Sequence, residues 1–161
     1  MIVVSDATPI ISLAKISMLD ILGKFYNKVL LPRAVYNEVC SNSDYTEEAE
    51  LVKNCTFIKV EAVNNEQSVK ILRAAGLDLG ESEAIILADS LSDSLLLMDE
   101  RKGRQIAQGM GLRIIGTLGI LLQAKRIGLI DEIKPLLDAL LVANFRISES
   151  LYNSILEQVS E

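Results

Sequence analysis

The side chains of this sequence that could carry out chemistry are carboxylates at the ends of predicted strands. Asp6 closely follows the apolar run Ile2 to Val4, and Asp99 directly follows the wholly apolar run Leu95 to Met98. In open parallel sheets, ligands bind outside the carboxyl ends of the strands. If these two strands are neighbours, the two carboxylates therefore meet at one edge of the sheet.

Three glutamates are further candidates for the same site. Glu38 lies two turns into the helix predicted after Pro32, among apolar neighbours, so we expect its side chain to face the interior. Glu81 and Glu83 lie at the start of another predicted helix, where the helix dipole favours negative charge. Residues two apart on a helix point about 200° away from each other, so only one of these two is expected to face the site. Their spacing does not decide which one.

Each acid also has a purely structural interpretation. Asp6 could be a helix N-cap, Asp99 a turn residue, Glu81 one half of a capping box and Glu38 a solvated surface residue. Their occurrence together, at strand ends and helix starts of one α/β pattern, favours a shared site.

Carboxylates that converge without a counter-charge repel one another, and a divalent cation removes this conflict. The sequence contains no histidine, which excludes His-based zinc sites and nucleophile systems that need an imidazole base. Donor sets made only of oxygen favour hard cations. The predicted cofactor is therefore Mg²⁺ or Mn²⁺.

Composition limits the class of protein. The 161 residues are 50% hydrophobic, which predicts a packed core and one domain over residues 1–161. The net charge of −6 argues against coating nucleic acid by bulk charge, but not against an acidic catalytic site. Cys40 and Cys55 stand alone, so we expect free thiols. The absence of a spanning segment or a signal-like start predicts a cytoplasmic protein.

Hydrophobic patterning predicts the elements that position these acids. Strands are expected at residues 2–4, 29–31, 57–60, 95–98 and 113–115, alternating with helices. The apolar spacing from Ile10 to Leu22 predicts one helix, and residues 117–161 are expected to form a helical C-terminal part of the same domain. The alternation predicts a single-domain, three-layer α/β/α fold with a central parallel sheet.

Taken in chain order, the acids and the motifs around them resemble those of the PIN-domain nuclease family over most of the chain. The family opens with a strand ending in Asp-x-Ser/Thr, here Asp6 to Thr8. Its second acid lies on the helix after a strand-Pro element, here Glu38. Its third begins a helix with Ala and Ile, here Gly80 to Ala88, and its fourth ends a strand, here Asp99.

A prokaryotic branch of that family is the closer resemblance. Its motifs are Gly-Glu-x-Glu-Ala-Ile at residues 80–85, Asp-Asp/Glu-Arg-x-x-Arg at 99–104, and Gly-Thr-Leu-Gly-x-Leu-x-x-Ala-Lys at 116–125. Many PIN domains have Asp where this chain offers Glu81 or Glu83, and Thr-x-Asp where it has Asp99-Glu100-Arg101.

The resemblance implies a Mg²⁺- or Mn²⁺-dependent endoribonuclease similar to the VapC-type toxins. It implies catalytic roles for Asp6, Glu38, Glu81 and Asp99, with Glu83 as a further candidate metal ligand. By analogy, RNA or DNA is the expected substrate, and a homodimer and a small antitoxin protein are expected partners. The candidate substrate-binding residues are Thr8, Arg101, Arg104 and Thr117.

The surroundings of these residues leave two of their roles open. Thr8 could contact the phosphate or cap its helix. Arg101, Lys102 and Arg104, with Lys125 and Arg126, could form a local basic rim or a solvated helix face.

Two other functions compete with this prediction. A phosphotransfer or receiver-like α/β domain with an acidic metal pocket would show paired acids after its first strand and a Lys ending a late strand. Here Asp6 stands alone, and the strand near Ile115 ends in Gly116-Thr117. A non-catalytic PIN-like module that binds nucleic acid or protein is the second alternative.

Overall fold

The centre of the molecule is a parallel β-sheet, described here from a computed structural model of residues 1–161. Its strands are β1 (Ile2–Ser5), β2 (Val29–Pro32), β3 (Ile58–Glu61), β4 (Ser94–Leu97) and β5 (Arg113–Ile115). They lie in the order β3-β2-β1-β4-β5, and every neighbouring pair is parallel. The α/β fold predicted from the sequence is confirmed.

The strand order creates a switch point between β1 and β4. From β1 the chain builds outward through β2 and β3, then crosses back to place β4 on the other side of β1. The carboxyl ends of the two strands are in register, since Ser5 pairs with Leu97 and the N–H of Asp6 donates to the Leu97 carbonyl at 2.9 Å. Such switch points form the binding crevices of open α/β sheets. The order also differs from the 2-1-3-4-5 order of receiver-like domains, which excludes a receiver-like topology.

Ten α-helices surround the sheet. They are α1 (Ala7–Lys15), α2 (Asp20–Phe25), α3 (Arg33–Cys40), α4 (Thr46–Asn54), α5 (Glu66–Ala74), α6 (Leu79–Asp89), α7 (Arg101–Gly109), α8 (Thr117–Arg126), α9 (Lys134–Val142) and α10 (Glu149–Gln158). A short 3₁₀ turn at Ser43–Tyr45 precedes α4. No helix has the length and apolar character that crossing a membrane requires.

The prediction of one helix from Ile10 to Leu22 is wrong. The chain leaves α1 after Lys15 because Ser17 adopts a left-handed backbone with φ of 59°. The N–H of Met18 then donates to the Leu13 carbonyl at 2.8 Å, which closes the helix end. Glycine is the usual residue at such a position, so a serine there provides no sequence signal.

The core has two parts, one on each face of the sheet. Val3 and Leu97 belong to the larger cluster, whereas Val4 and Leu96 belong to the smaller one. This alternation explains why the strands are continuous apolar runs. The C-terminal leucines mostly complete the larger cluster, in which Leu121 and Leu137 are fully buried.

Candidate acidic active site

Asp6 is a buried carboxylate at the carboxyl edge of β1. Its side chain is 4% exposed, forms no ion pair and makes no capping hydrogen bond to α1, although it stands at the N-cap position. Burial raises the pKa of Asp6 to about 8, and the negative charges of Glu81, Asp78 and Glu38 add to the effect, against the opposing contribution of the Ala7 N–H. A carboxyl group in these surroundings is mostly neutral at pH 7 unless a cation compensates its charge.

Asp99 lies beyond the end of β4, the strand that pairs with β1, and is held by α8. The Thr117 N–H donates to Asp99 Oδ1 at 2.7 Å, and the Thr117 hydroxyl donates to Oδ2 at 2.6 Å. Burial raises the pKa of Asp99, while these two hydrogen bonds and the Arg104 guanidinium oppose the rise. Because both oxygens are occupied by donors, the orientation of this carboxylate is fixed.

The surroundings of Asp99 leave little free space. A methyl group added at Gly116 would lie 2.7 Å from Asp99 Oδ1 and 3.0 Å from Arg104 Nη1. Arg104 turns inward, donating to the Met98 carbonyl at 2.8 Å. Gly116 therefore allows α8 to begin close to the carboxylate that it holds.

The two glutamates at the start of α6 face different partners. Glu81 forms a capping box with Asp78: the Glu81 N–H donates to Asp78 Oδ1 at 2.7 Å, and the Asp78 N–H donates to Glu81 Oε2 at 3.2 Å. Glu83 instead accepts the Ala34 N–H at 3.1 Å, at the start of α3. Of the pair, only Glu81 is among the acids that raise the pKa of Asp6.

The Glu81 carboxyl has a strongly shifted pKa. Partial burial raises its pKa to about 7, together with the negative charges of Asp78 and Glu100 and despite the capping hydrogen bond from Asp78. The capping role proposed for Glu81 is confirmed, and the same side chain also belongs electrostatically to the acidic group around Asp6.

Glu38 lies at the rim of this group. The expectation that it faces the interior is wrong, because the residue is exposed on the helix surface. Its carboxylate nevertheless lies against the start of α6, where a methyl group added at Gly80 would be 3.2 Å from Glu38 Oε2. Although the residue as a whole is exposed, this contact desolvates its carboxylate, which raises the pKa of Glu38 together with the charge of Asp78.

Two acids of the group were missed by the sequence reasoning. Asp78 is the partner of Glu81 and contributes to the raised pKa of three other carboxyls. Its spacing three residues before Glu81 is a capping-box signal that could have identified it. Glu100 caps α7 by accepting the Gly103 N–H at 2.8 Å. The carboxylates Asp6, Glu38, Asp78, Glu81, Asp99 and Glu100 are called the acidic edge below.

The candidate substrate-binding residues are dispersed. Thr8 is exposed in the first turn of α1, makes no capping hydrogen bond and lines the same cavity as Asp99. Arg101 is exposed, whereas Thr117 is fully buried with its hydroxyl donating to Asp99. Thr117 is therefore placed to orient Asp99, away from direct contact with a ligand.

The predicted basic rim does not extend to the end of α8. Ile127, which directly follows Arg126, lines a pocket with Met1 and Arg113 at the amino ends of β1 and β5. Lys125 donates to the Asp131 carbonyl and pairs with Glu161 at 3.3 Å. These two cations are thus at the opposite edge of the sheet from the acidic edge.

The donor set fits a hard divalent cation that is only partly enclosed by protein. All candidate ligands are oxygens, and no group of three or more Asp, Glu, Cys or His side chains is arranged to enclose a metal ion. Mg²⁺ is usually bound by one or two carboxylates, with waters and substrate phosphates as its other ligands. Asp6 and Asp99, which follow the two adjacent strands, are the candidates for such a pair.

The burial of Asp6 predicts that the protein loses stability as pH rises when a chelator keeps divalent cations away. The unfolded carboxyl releases its proton near pH 3.8, whereas the folded one retains it to about pH 8, so stability falls as pH rises through this interval. We expect Asp6→Asn to melt several degrees above the wild type at about pH 8, because 1 kcal/mol of stability corresponds to roughly 2–4 °C in melting temperature for a chain of this size. The difference should shrink towards pH 4. Thermal melts across this range measure the effect. The control is Asp131→Asn, an exposed acid without an ion pair, and equal pH slopes for all three proteins would contradict the prediction.

The Thr117 hydroxyl predicts a second, separable effect. Thr117→Val removes the donor to Asp99 Oδ2 while keeping the side-chain volume, so unfolding free energy should fall by about 1.5–3 kcal/mol, the range for hydrogen bonds to charged groups. The pKa of Asp99 should also rise, which a carboxyl-carbon NMR titration would detect. Thr117→Ser retains the hydroxyl and should preserve both values. An unchanged Asp99 titration in the valine variant would show that the hydrogen bond does not hold the carboxylate.

Comparison with known proteins agrees with this geometry. A PIN domain family (DUF3368) matches residues 2–161. No curated protein and no solved structure matches the chain. The family match covers the whole sheet and all of its helices, including every acid of the acidic edge. PIN domains are generally nucleases. The chain therefore belongs to the PIN domain family.

Proposed function

We propose that this protein is a Mg²⁺- or Mn²⁺-dependent endoribonuclease that hydrolyses phosphodiester bonds at the acidic edge. The observation that supports this most directly is the burial of Asp6 among other carboxylates without any cationic side chain to pair with it. A fold under selection for stability alone has no use for such a group, because its charge is costly to bury. Perturbed carboxyls in a crevice are typical of functional sites.

The residues divide into ligands and positioning groups. Asp6 and Asp99 would hold the cation directly, and Glu81 and Glu38 would bind it directly or through water. Glu83 is a weaker candidate, since its carboxylate caps α3. When bound, the cation would supply charge neutralisation for the scissile phosphate and a lowered pKa for an attacking water.

The other side chains would position the carboxylates that hold the cation, or contact the substrate. Thr117 and Arg104 favour the charged form of Asp99 against the effect of its burial, and the two hydrogen bonds from Thr117 orient the carboxylate. Asp78 holds the backbone at the start of α6 and thereby places Glu81. Arg101 is exposed at the start of α7, within two residues of Asp99, where it could contact a substrate phosphate.

Metal binding and catalysis can be tested on the same variants. Mg²⁺ or Mn²⁺ should raise the melting temperature of the wild type, and the rise should disappear in Asp6→Asn and Asp99→Asn, since only a ligand of the folded state stabilises it. The same variants should lose at least about 100-fold in cleavage of a labelled RNA, in line with the several kcal/mol that a catalytic metal contributes. Asp131→Asn serves as the matched control for both measurements.

The possible outcomes separate the two leading functions. Metal-dependent stabilisation with no cleavage of RNA or DNA would favour the alternative of a non-catalytic module that binds nucleic acid or protein. Equal stabilisation of the wild type and both variants would place the metal elsewhere and contradict the proposed site. Cleavage of DNA alone would keep the mechanism and change the substrate.

We also propose that the protein acts as the toxin of a toxin–antitoxin pair, as a homodimer with a small antitoxin partner. The resemblance of its motifs to VapC-type toxins supports this proposal. So does an exposed apolar patch, in which Val142 is 85% exposed and lines one hollow with Leu51 and Ala139.

Light scattering coupled to size exclusion tests the dimer. We expect a dimer for the wild type and for Ile127→Glu, an exposed position at the opposite edge, and a monomer for Val142→Glu. A wild-type protein that stays monomeric at all concentrations would contradict the proposal. A dimer that persists in Val142→Glu would place the interface on another surface.

A further inference from the structure

A groove extends from the acidic edge along one side of the molecule. It has a volume of about 390 Å³, and its lining includes Asp99 and Glu100 of the acidic edge together with Tyr45. One wall is the face of α1 that contains Thr8, Ser12 and Lys15, residues that share one side of a helix and extend over roughly 10 Å. Residues 143–146, which belong to the link between α9 and α10, also line the groove.

The two cations of the groove differ in their availability. Lys15 Nζ pairs with Glu48 at 2.8 Å and lies 5.7 Å from the centre of the Tyr45 ring, so its charge is already engaged. Arg146 is exposed and forms no ion pair. In a chain with a net charge of −6, Arg146 is therefore the free positive charge of the groove.

Aromatic rings flank these cations. Phe145 directly precedes Arg146, and Tyr45 lies beneath Lys15. Both aromatic residues are half-buried and line the groove, and Phe145 also packs against the larger core cluster. Free cationic charge with partly exposed aromatic faces is the combination that binds single-stranded nucleic acid, in which phosphates and unstacked bases alternate. A cavity of this volume suits a ligand of about nucleotide size and is too small for a duplex.

We propose that this groove binds a single strand of RNA leading into the acidic edge, with Arg146 contacting a phosphate and Tyr45 and Phe145 stacking on bases. The proposal rests on the proposed ribonuclease function and adds to it the path of the substrate. Arg146 lies far along the chain from the acidic motifs, so motif spacing does not identify it.

The test measures binding separately from cleavage. In an Asp6→Asn background, fluorescence anisotropy with a labelled oligouridylate gives the affinity over a range of salt concentrations. Arg146→Gln should weaken binding about tenfold and reduce the slope of log affinity against log salt by about one, because one phosphate contact is lost. Arg146→Lys should restore the slope, and Arg126→Gln, at the opposite edge, should change neither value.

A stacking variant distinguishes the aromatic contribution from charge. Tyr45→Leu should weaken binding several-fold without changing the salt slope, since stacking does not release counterions. Circular dichroism of every variant confirms that the fold is intact. If Arg146→Gln behaves like Arg126→Gln, or if a duplex of the same length binds more tightly than the single strand, the groove assignment is overturned.

Failure of the groove and failure of the enzyme have different signatures. Arg146-dependent binding by a wild type that never cleaves the strand would retain the groove and contradict catalysis. Cleavage with an unchanged KM in Arg146→Gln would retain catalysis and contradict the groove. A wild type that neither binds nor cleaves the oligonucleotide would contradict both.

Discussion

The desolvation of Asp6 is the constraint to which the surrounding structure responds. The parallel sheet places this carboxylate between the ends of β1 and β4, at the one position where the strand order reverses, and leaves it 4% exposed. No lysine or arginine pairs with it. Burial would favour the neutral acid, and the nearby carboxylates of Glu81, Asp78 and Glu38 push its pKa in the same direction. A bound cation would therefore stabilise the folded chain, because no side chain of the protein compensates the charge of Asp6.

The neighbouring acids are held by local interactions that also stabilise the fold. Asp99 is bonded by the first residue of α8, and Glu81 is tied to Asp78 in a capping box. Both arrangements satisfy N–H groups that would be unpaired at a helix start. The same hydrogen bond at each helix start therefore has two effects. It satisfies an unpaired backbone N–H group, and it fixes a carboxylate near the switch point. Such rigid placement favours binding at a site whose ligands must not rearrange.

The sequence predicts the features that depend on local pattern, such as the strands. It does not predict the features that depend on a single tertiary contact or on the backbone conformation of one residue. The five strands and their parallel arrangement follow from apolar runs separated by helices, and Asp6 and Asp99 follow from the rule about carboxyl ends. The choice between Glu81 and Glu83 does not, because it depends on the Ala34 N–H, which α3 brings close from 49 positions earlier in the chain. The break after Lys15 depends on Ser17 adopting a left-handed backbone. The position of the Glu38 carboxylate against the start of α6 depends on how α3 packs against α6, which spacing within one helix does not reveal.

The acidic composition of the chain and a polyanionic substrate are compatible because of how charge is distributed. Coulomb interactions between exposed groups are largely screened beyond about 8 Å at physiological salt, so the net charge of the chain matters less than the groups beside the phosphate. At the acidic edge, negative side chains and a negative phosphate can approach only when a divalent cation lies between them. Metal binding would then be a precondition for substrate binding at that edge, while the groove beside α1 could hold the strand without it. The affinity for the strand would depend on monovalent salt through Arg146, whereas cleavage would depend on the divalent cation through Asp6 and Asp99. Strand binding and cleavage would therefore respond to different ions.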